Sequence, residues 1–161
     1  MNAAAIVYTS QTGFTARYAA LLAERTGLPC RPLKEAAALP RGTAVIYLGW
    51  LCAGGIKGLK EARRRFRMAA VCAVGMAAEV EEAKLRRDNR LEGVPLFYLR
   101  GGYAPERLTG LYRPMMSLMS RMVSKASAED EGARAMQEAF AKGGDWVSTE
   151  QLSPVLDALT E

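Results

Sequence analysis

The chain has 161 residues, of which half are hydrophobic and about a quarter are charged, and its net charge is +5. This composition excludes an intrinsically disordered chain and predicts one domain over residues 1–161 with its own hydrophobic core. No apolar run is long enough to cross a bilayer, and MNAAAIVYTS at the N-terminus lacks the basic region of a secretion signal. We therefore expect a cytoplasmic protein.

Two residue types exclude further classes of protein. The chain contains no histidine, which removes Ser-His-Asp and Cys-His catalysis and any imidazole acid or base. Its cysteines, Cys30, Cys52 and Cys72, are odd in number and widely spaced, which argues against a disulfide framework or a structural zinc site. If the protein is an enzyme, a cofactor is expected to carry its chemistry.

Apolar runs alternate with helical patterns along the chain. The predicted strands are AAAIVY (3–8), LPCRPL (28–33), TAVIYLGW (43–50), MAAVCAVGM (68–76) and VPLFYLRGGY (94–103). The predicted helices cover 15–25, 58–67, 78–91 and 148–161, and in the last of these Ser148 or Thr149 precedes Glu150 and Gln151 as in a capping box. A long segment from 106 to 126 contains Pro114, which either breaks or starts a helix there.

Continuous apolar strands separated by helices predict an α/β fold with a parallel sheet covered on both faces. Five strands with a weak second one suit the doubly wound order 2-1-3-4-5. The second strand then lies at the edge, where its two prolines are tolerated. In such a fold ligands bind at the carboxyl ends of the strands, so the loops that follow the strands are the candidates for a binding site.

The loop after the first strand, YTSQTGFT (8–15), is rich in hydroxyl groups and runs directly into a helix. A helix N-terminus offers unpaired N–H groups and the positive end of the helix dipole, which suits a phosphate. The loop has no lysine, so it is not the loop of nucleoside triphosphatases, and we expect neutral donors alone around a phosphate that stays bound. The alternative is a simple Ser or Thr N-cap.

SQTGFT resembles the S-x-T-G-x-T phosphate loop of the flavodoxin family, except that Phe14 stands where flavodoxins usually have asparagine. The resemblance implies a flavodoxin-like fold and bound FMN. It places the following residues around the phosphate: Thr9, Ser10, Gln11, Thr12, Gly13, Phe14 and Thr15.

Loops after the other strands fit a flat ring. Trp50 and Tyr103 follow the third and fifth strands, where aromatic stacking on a ring is reasonable, although Trp50 also suits a packing role. Arg100 precedes a Gly-Gly pair close to the expected ring. The remaining candidates near the ring are Leu51, Cys52, Ala53, Gly54, Gly75, Met76, Gly101 and Gly102, with the glycines allowing close backbone approach.

A narrower resemblance covers the C-terminal half. YLRGGYAP, LYRPMMSLMSRMVSKASAED and DWVSTEQLSPV are similar to the end of the flavodoxin-like menaquinone-dependent protoporphyrinogen oxidases. This resemblance implies an FMN-dependent oxidoreductase that passes electrons to a quinone. A flavodoxin-like electron carrier is the alternative, but carriers of this family are acidic, whereas this chain is basic. The basic charge predicts a less negative flavin potential than that of an acidic carrier.

The methionine-rich segment 115–123 has apolar residues around most of a helix. It predicts either a helix packed on the sheet or a contact for a quinone, a membrane surface or a second copy of the chain. Arg107, Arg113, Arg121 and Lys125 would surround that face with positive charge.

The basic run EARRRFR (61–67) predicts a solvated helix face. The alternative is that it docks an acidic partner, in which case the protein would be a flavin-free interaction module with its phosphate site blocked by Phe14. No aromatic-studded basic groove or recognition motif indicates nucleic-acid binding.

Overall fold

A mostly parallel sheet with helices on both sides forms the centre of the computed structural model, which describes residues 1–108, 110, 112–125, 134, 137–138 and 143–161. The predicted α/β class with a parallel central sheet is confirmed. The strands of the sheet are β1 (Ala5–Thr9), β2 (Cys30–Pro32), β3 (Ala44–Cys52), β4 (Gly55–Ile56), β5 (Arg67–Gly75) and β6 (Leu96–Arg100).

The parallel strands lie in the order β2-β1-β3-β5-β6, and β4 adds a short antiparallel strand to β3. The sheet thus has six strands instead of the predicted five. β2 is three residues long and lies at the edge, where Pro32 costs no hydrogen bond to an outer neighbour. The helices are α1 (Phe14–Thr26), α2 (Leu59–Arg65), α3 (Glu82–Asp88), α4 (Tyr112–Lys125) and α5 (Ser153–Thr160).

Two hydrophobic cores cover the two faces of the sheet, because successive strand residues point to opposite sides. Ile6 packs with Tyr18 and Leu22 of α1 on one face, where Leu152 and Val155 at the start of α5 join them. The opposite face holds Val7, Val45, Val71, Leu59 and Ala62 of α2, and Leu85 of α3. The carboxyl ends of the parallel strands therefore emerge between two layers of helices.

The segment after β3 is a hairpin and not the open loop that we predicted. β3 continues to Cys52, and β4 returns along it through a turn in which Ala53 and Gly54 both have positive φ, 51° and 82°. Two positive φ values are typical of the tight turns that match strand twist. Asn89 fixes this hairpin: its amide donates to the Gly54 carbonyl at 2.9 Å and accepts the Ile56 N–H at 2.8 Å.

A second, two-stranded ribbon lies beside the main sheet. β7 (Gly102–Tyr103) pairs antiparallel with β8 (Gly144–Asp145), and the Trp146 N–H donates to the Gly101 carbonyl at 2.8 Å. The predicted strand 94–103 is thus split between the main sheet and this ribbon. A short 3-10 helix, Pro105–Arg107, follows β7.

The predicted capping box at 148–161 was wrong. A 3-10 helix, Thr149–Leu152, precedes α5, and Ser148 makes no side-chain cap bond. The Gln151 amide is engaged elsewhere, since it accepts the Arg100 N–H at 2.7 Å and donates to the Trp146 carbonyl at 2.7 Å. The helix predicted over 78–91 is also shorter, because α3 covers only Glu82–Asp88.

The methionine-rich segment lies in α4. Leu118 and Met122, one helical turn apart, are exposed by 59% and 64%. The side chains of Met116, Met119, Val123 and Lys125, and all of Ala126, lie outside the described residues. Among the helices in the described ranges, none is long and apolar enough to span a membrane.

Candidate functional site

Loops at the carboxyl ends of β1, β3, β5 and β6 meet in a narrow cavity of about 70 Å³, here called the first cavity. It lies at the start of α1, on the α1 side of the sheet. Ten of the predicted site residues line it: Gln11, Thr12, Phe14, Thr15, Trp50, Leu51, Gly75, Met76, Gly102 and Tyr103. Val74, Ala104 and Leu108 also line it, and none of the three was predicted, because nothing but their apolar character distinguishes them in the sequence.

A second cavity of about 790 Å³ lies on the other side of Trp50. Trp50 and Gln11 line both cavities, so the two are neighbours. Of the predicted site residues, Thr9, Ser10 and Gly13 line this second cavity, together with Lys34, Glu35, Lys57 and Glu61, which were not predicted. The Lys57 ammonium lies 6.0 Å from the centroid of the Trp50 ring, at the outer limit for a cation–π contact.

The β1–α1 loop presents the start of α1 to these cavities. Gly13 precedes the helix with φ 101°, a conformation that suits glycine, and its N–H donates to the Ser10 hydroxyl at 3.2 Å. No side chain caps α1, so the predicted alternative of a Ser or Thr N-cap is wrong for this helix. The first-turn N–H groups therefore have no acceptor within the helix and face the loop, a donor set that suits an anion.

Phe14 belongs to the hydrophobic core, with 6% of its surface exposed. A Cβ placed on Gly101 would lie 3.1 Å from the Phe14 Cβ, and one placed on Gly102 would lie 2.6 Å from its ring. These two glycines therefore make room for Phe14, and also for Val74 beside Gly101 and for the Gly144 carbonyl beside Gly102. We had attributed them to close approach of the backbone to a ligand, and the structure provides this internal reason for both.

Thr9 is engaged inside the protein. Its hydroxyl is 2.7 Å from the Tyr47 hydroxyl, which donates its one proton to the Lys57 carbonyl at 2.5 Å. Since a phenol has a single proton, Thr9 donates to Tyr47. Burial raises the pKa of Tyr47 well above its usual range, and the bond from Thr9 acts in the opposite direction. Gly58 lies against this pair, so a side chain there would displace it.

Arg100 lies behind the first cavity and does not line it. Its guanidinium carbon is 3.7 Å from the centroid of the Trp146 ring, and its Nε donates to the Met76 carbonyl at 3.0 Å. Tyr98 holds the same loop by donating to the Ala77 carbonyl at 2.7 Å. Burial raises the pKa of Tyr98, while the neighbouring positive charge of Arg100 lowers it. Both residues therefore position the loop that contributes Gly75 and Met76.

Arg107 reaches the β1–α1 loop, whereas we had expected it beside the methionine-rich helix. Its Nη1 donates to the Thr12 carbonyl at 3.2 Å. A cationic side chain thus lies beside this loop, in addition to the neutral donors that the sequence predicted. Arg17, in the first turns of α1, pairs with Asp145 of β8 at 2.6 Å. The hydrogen bond from Arg17 holds the pKa of Asp145 below its usual range, and Arg107 contributes to the same shift.

Five predicted site residues lie away from both cavities. Ala53 and Gly54 form the turn of the β3–β4 hairpin, and Arg100 and Gly101 lie behind the first cavity. Cys52 lines a separate, more open depression on the α2 side. The sequence placed Cys52, Ala53 and Gly54 near the ligand because it gave no sign that β3 turns back on itself.

Comparison of this chain with protein-family models, curated proteins and solved structures finds no significant match. Within the described part of the chain, no group of three or more cysteine and carboxylate side chains could hold a metal ion.

Proposed function

We propose that this protein is an FMN-binding, flavodoxin-like oxidoreductase. The observation that carries the proposal is the first cavity: an uncapped helix start, aromatic side chains from two other loops and the loop after β5 line one cleft. Ten of the residues that the sequence predicts for the ligand line this cleft.

The phosphate end fits by its donor set. The first turn of α1 offers backbone N–H groups, Thr12 and Thr15 line the cavity beside them, and Gly13 leaves the approach open. Such a site binds a phosphate through the helix terminus. These residues would bind the terminal phosphate of FMN.

The ring end is apolar and aromatic. Trp50, Leu51, Met76 and Tyr103 line it, and Tyr103 is only 8% exposed. A ring as large as that of flavin would enter only if the walls of this narrow cavity separate. Trp50, which is half-buried and borders the wider second cavity, is the side chain best placed to move.

When bound, FMN would supply hydride or single-electron transfer, while the protein binds the ring and adjusts its potential. The Arg100 guanidinium, attached to the Met76 carbonyl behind the cavity wall, would place positive charge near the ring. Positive charge favours reduction, so the potential should be less negative than that of an acidic electron carrier. This supports an acceptor such as a quinone, and protoporphyrinogen-oxidase-like activity is the specific case that the sequence resemblance suggests.

Contact with an apolar acceptor or a membrane surface is part of the same proposal. Leu118 and Met122 expose one apolar face of α4, with Arg113 and Arg121 also exposed on that helix. Apolar side chains beside arginines suit the inner face of an anionic membrane, where a quinone resides. A homodimer through the same face would bury these side chains equally well.

The alternative of a flavin-free interaction module has less support from the structure than from the sequence, because two arginines of EARRRFR bond backbone carbonyls of this chain. Arg63 donates to the Asn89 and Arg90 carbonyls at 3.1 and 2.8 Å, and Arg65 donates to the Ala37 and Leu39 carbonyls. Fewer guanidinium groups in this run therefore remain for an acidic partner than the sequence suggested.

Flavin binding tests the proposal. Purified protein is mixed with FMN, and binding is followed by quenching of flavin and tryptophan fluorescence. The measurement is repeated in the Trp146→Phe variant, in which Trp50 is the remaining tryptophan of the chain. We expect saturable quenching by FMN in this background. Wild-type protein that binds neither FMN nor riboflavin would overturn the proposal and favour the interaction module.

A matched pair of double variants locates the site. Thr12→Ala with Thr15→Ala removes two hydroxyls from the β1–α1 loop, whereas Thr26→Ala with Thr43→Ala removes two at the opposite end of the fold. The first pair should weaken FMN binding by about tenfold or more. The second pair should leave it unchanged.

A further inference from the structure

We propose that Arg107 is the cationic partner of the cofactor phosphate and makes the site select a phosphorylated flavin over an unphosphorylated one. This inference rests on the proposed function, since it concerns the same site. It differs from the neutral phosphate loop that the sequence motif predicts.

The position of Arg107 carries the inference. Besides its bond to Thr12, its Nη1 lies 3.8 Å from the point where a Cβ on Gly13 would be. The guanidinium thus lies directly beside the start of α1, where an anion would meet the first-turn N–H groups. It reaches this point from a segment 95 residues further along the chain.

The backbone around Arg107 directs the side chain there. The 3-10 helix Pro105–Arg107 follows β7, and the Arg107 N–H donates to the Ala104 carbonyl at 3.0 Å. Pairing of β7 with β8 fixes the preceding residues against the main fold. Arg17 and Asp145 join α1 to the same ribbon. The backbone at Arg107 is therefore held near α1, and the guanidinium contacts the β1–α1 loop at the Thr12 carbonyl.

The local charge balance favours an anion. The charged side chains near the start of α1 include Arg17, Arg107 and Asp145. The second cavity beside it adds Lys34, Lys57, Glu35 and Glu61, two of each sign, which offset one another. Because Arg17 pairs with Asp145 at 2.6 Å, the positive charge of Arg107 is left in excess. A guanidinium has five N–H donors in a planar fork that matches phosphate oxygens, and the bond to Thr12 uses one of them. Arg107 can thus keep its contact with the loop and still bond a phosphate.

Selectivity between FMN and riboflavin tests this role, because the two differ only in the phosphate. Dissociation constants of both flavins are measured at low and high salt for wild-type protein, Arg107→Gln and Arg107→Lys. We expect Arg107→Gln to weaken FMN binding by about tenfold and riboflavin binding by less than twofold. Arg107→Lys should retain most of the preference, and the salt dependence of FMN binding should fall in Arg107→Gln.

Arg67→Gln is the matched control. Arg67 is exposed at the amino end of β5, the opposite end of the sheet, and the substitution changes the net charge equally. It should leave the FMN-to-riboflavin ratio at the wild-type value. A similar loss in Arg67→Gln would overturn the proposal, since net charge would then explain the effect.

Other outcomes separate this inference from the proposed function. If Arg107→Gln weakens FMN and riboflavin equally, Arg107 only positions the loop and the proposal is wrong. If wild-type protein binds FMN but the FMN-to-riboflavin preference of Arg107→Gln or Arg107→Lys differs from the expected one, the role proposed for Arg107 is wrong, whereas the proposed flavin site is supported. If wild-type protein binds neither flavin, both fail.

Discussion

The guanidinium of Arg100 stacks on the ring of Trp146, with its central carbon 3.7 Å from the ring centroid. The two residues are 46 positions apart, and their contact joins the end of β6 to the segment after β8. Arg100 also bonds the Met76 carbonyl, so the pair connects a wall of the first cavity to the C-terminal part of the chain.

We expect Trp146→Leu and Arg100→Gln each to reduce the free energy of unfolding, with a coupling between them of about 1 kcal/mol. The reason is the close cation–π contact of a half-buried ring. Urea unfolding of the wild type, both single variants and the double variant measures the coupling. The 6.0 Å pair of Lys57 and Trp50 is the control, and a coupling there as large as that of Arg100 and Trp146 would contradict our interpretation.

Gly102→Ala should destabilise the protein by about 1–3 kcal/mol, the usual cost of overpacking a core. The added Cβ would lie 2.6 Å from the Phe14 ring and would also meet the Gly144 carbonyl. Thermal unfolding measures the effect. Gly55→Ala is the matched control, because its Cβ would come no nearer than 3.6 Å to another atom and its melting temperature should stay close to that of the wild type.

Tyr47→Phe should cost about 1–3 kcal/mol, the penalty for leaving buried hydrogen-bonding groups without a partner. The lost hydroxyl serves both Thr9 and the Lys57 carbonyl. Thr9→Val in the Tyr47→Phe background should then cost much less than in the wild type. Chemical unfolding of the four proteins checks this, and additive costs would show that the two hydroxyls do not depend on each other.

The Arg17–Asp145 pair predicts a small pH dependence. Since the pKa of Asp145 is lowered from 3.8, the pair stabilises the fold fully above that value and loses its effect as the pH falls through the lower, folded pKa. Both side chains are about half exposed, so the contribution should be below about 1 kcal/mol. The stability difference between the wild type and Asp145→Asn should therefore be constant from neutral pH to about pH 5 and shrink in stronger acid. A difference that grows in acid would contradict the assignment.

The three thiols should react at different rates. Cys72 is fully buried, and burial raises its pKa to about 12; the pKa of Cys30 is also raised by burial. Cys52 is partly exposed on an open depression. We expect a thiol reagent at pH 8 to modify Cys52 first and Cys72 only on unfolding. Loss of the fast phase in Cys52→Ser checks this, and a fast phase that persists would contradict it.

The local features of the candidate site could be predicted, but their partners could not. Thr12 and Gly13 follow β1, and Trp50 lies near the end of β3; the apolar runs of both strands are plain in the sequence. Thr12 lines the first cavity, Gly13 the second, and Trp50 both. Arg107 and Trp146 were not predicted at the site, because they act through contacts with the distant residues Thr12 and Arg100. Lys57 was missed because the sequence gave no sign of the β3–β4 hairpin that brings it back beside Trp50. Ala53 has a positive φ in the β3–β4 turn, a conformation that alanine seldom adopts. The residue types at this turn therefore did not indicate it.

By itself, the sequence determined the α/β class, the approximate positions of the parallel strands and the position of the hydroxyl-rich loop, since these depend on patterns within a few residues of one another. Only the tertiary structure decided that Phe14 is a core residue accommodated by Gly101 and Gly102, that Arg100 stacks on Trp146, and that Arg107 lies beside Thr12. The physical reason is that burial and charge pairing depend on which distant segments meet. Local periodicity states which face of an element is apolar, but it does not specify the side chain that will cover that face.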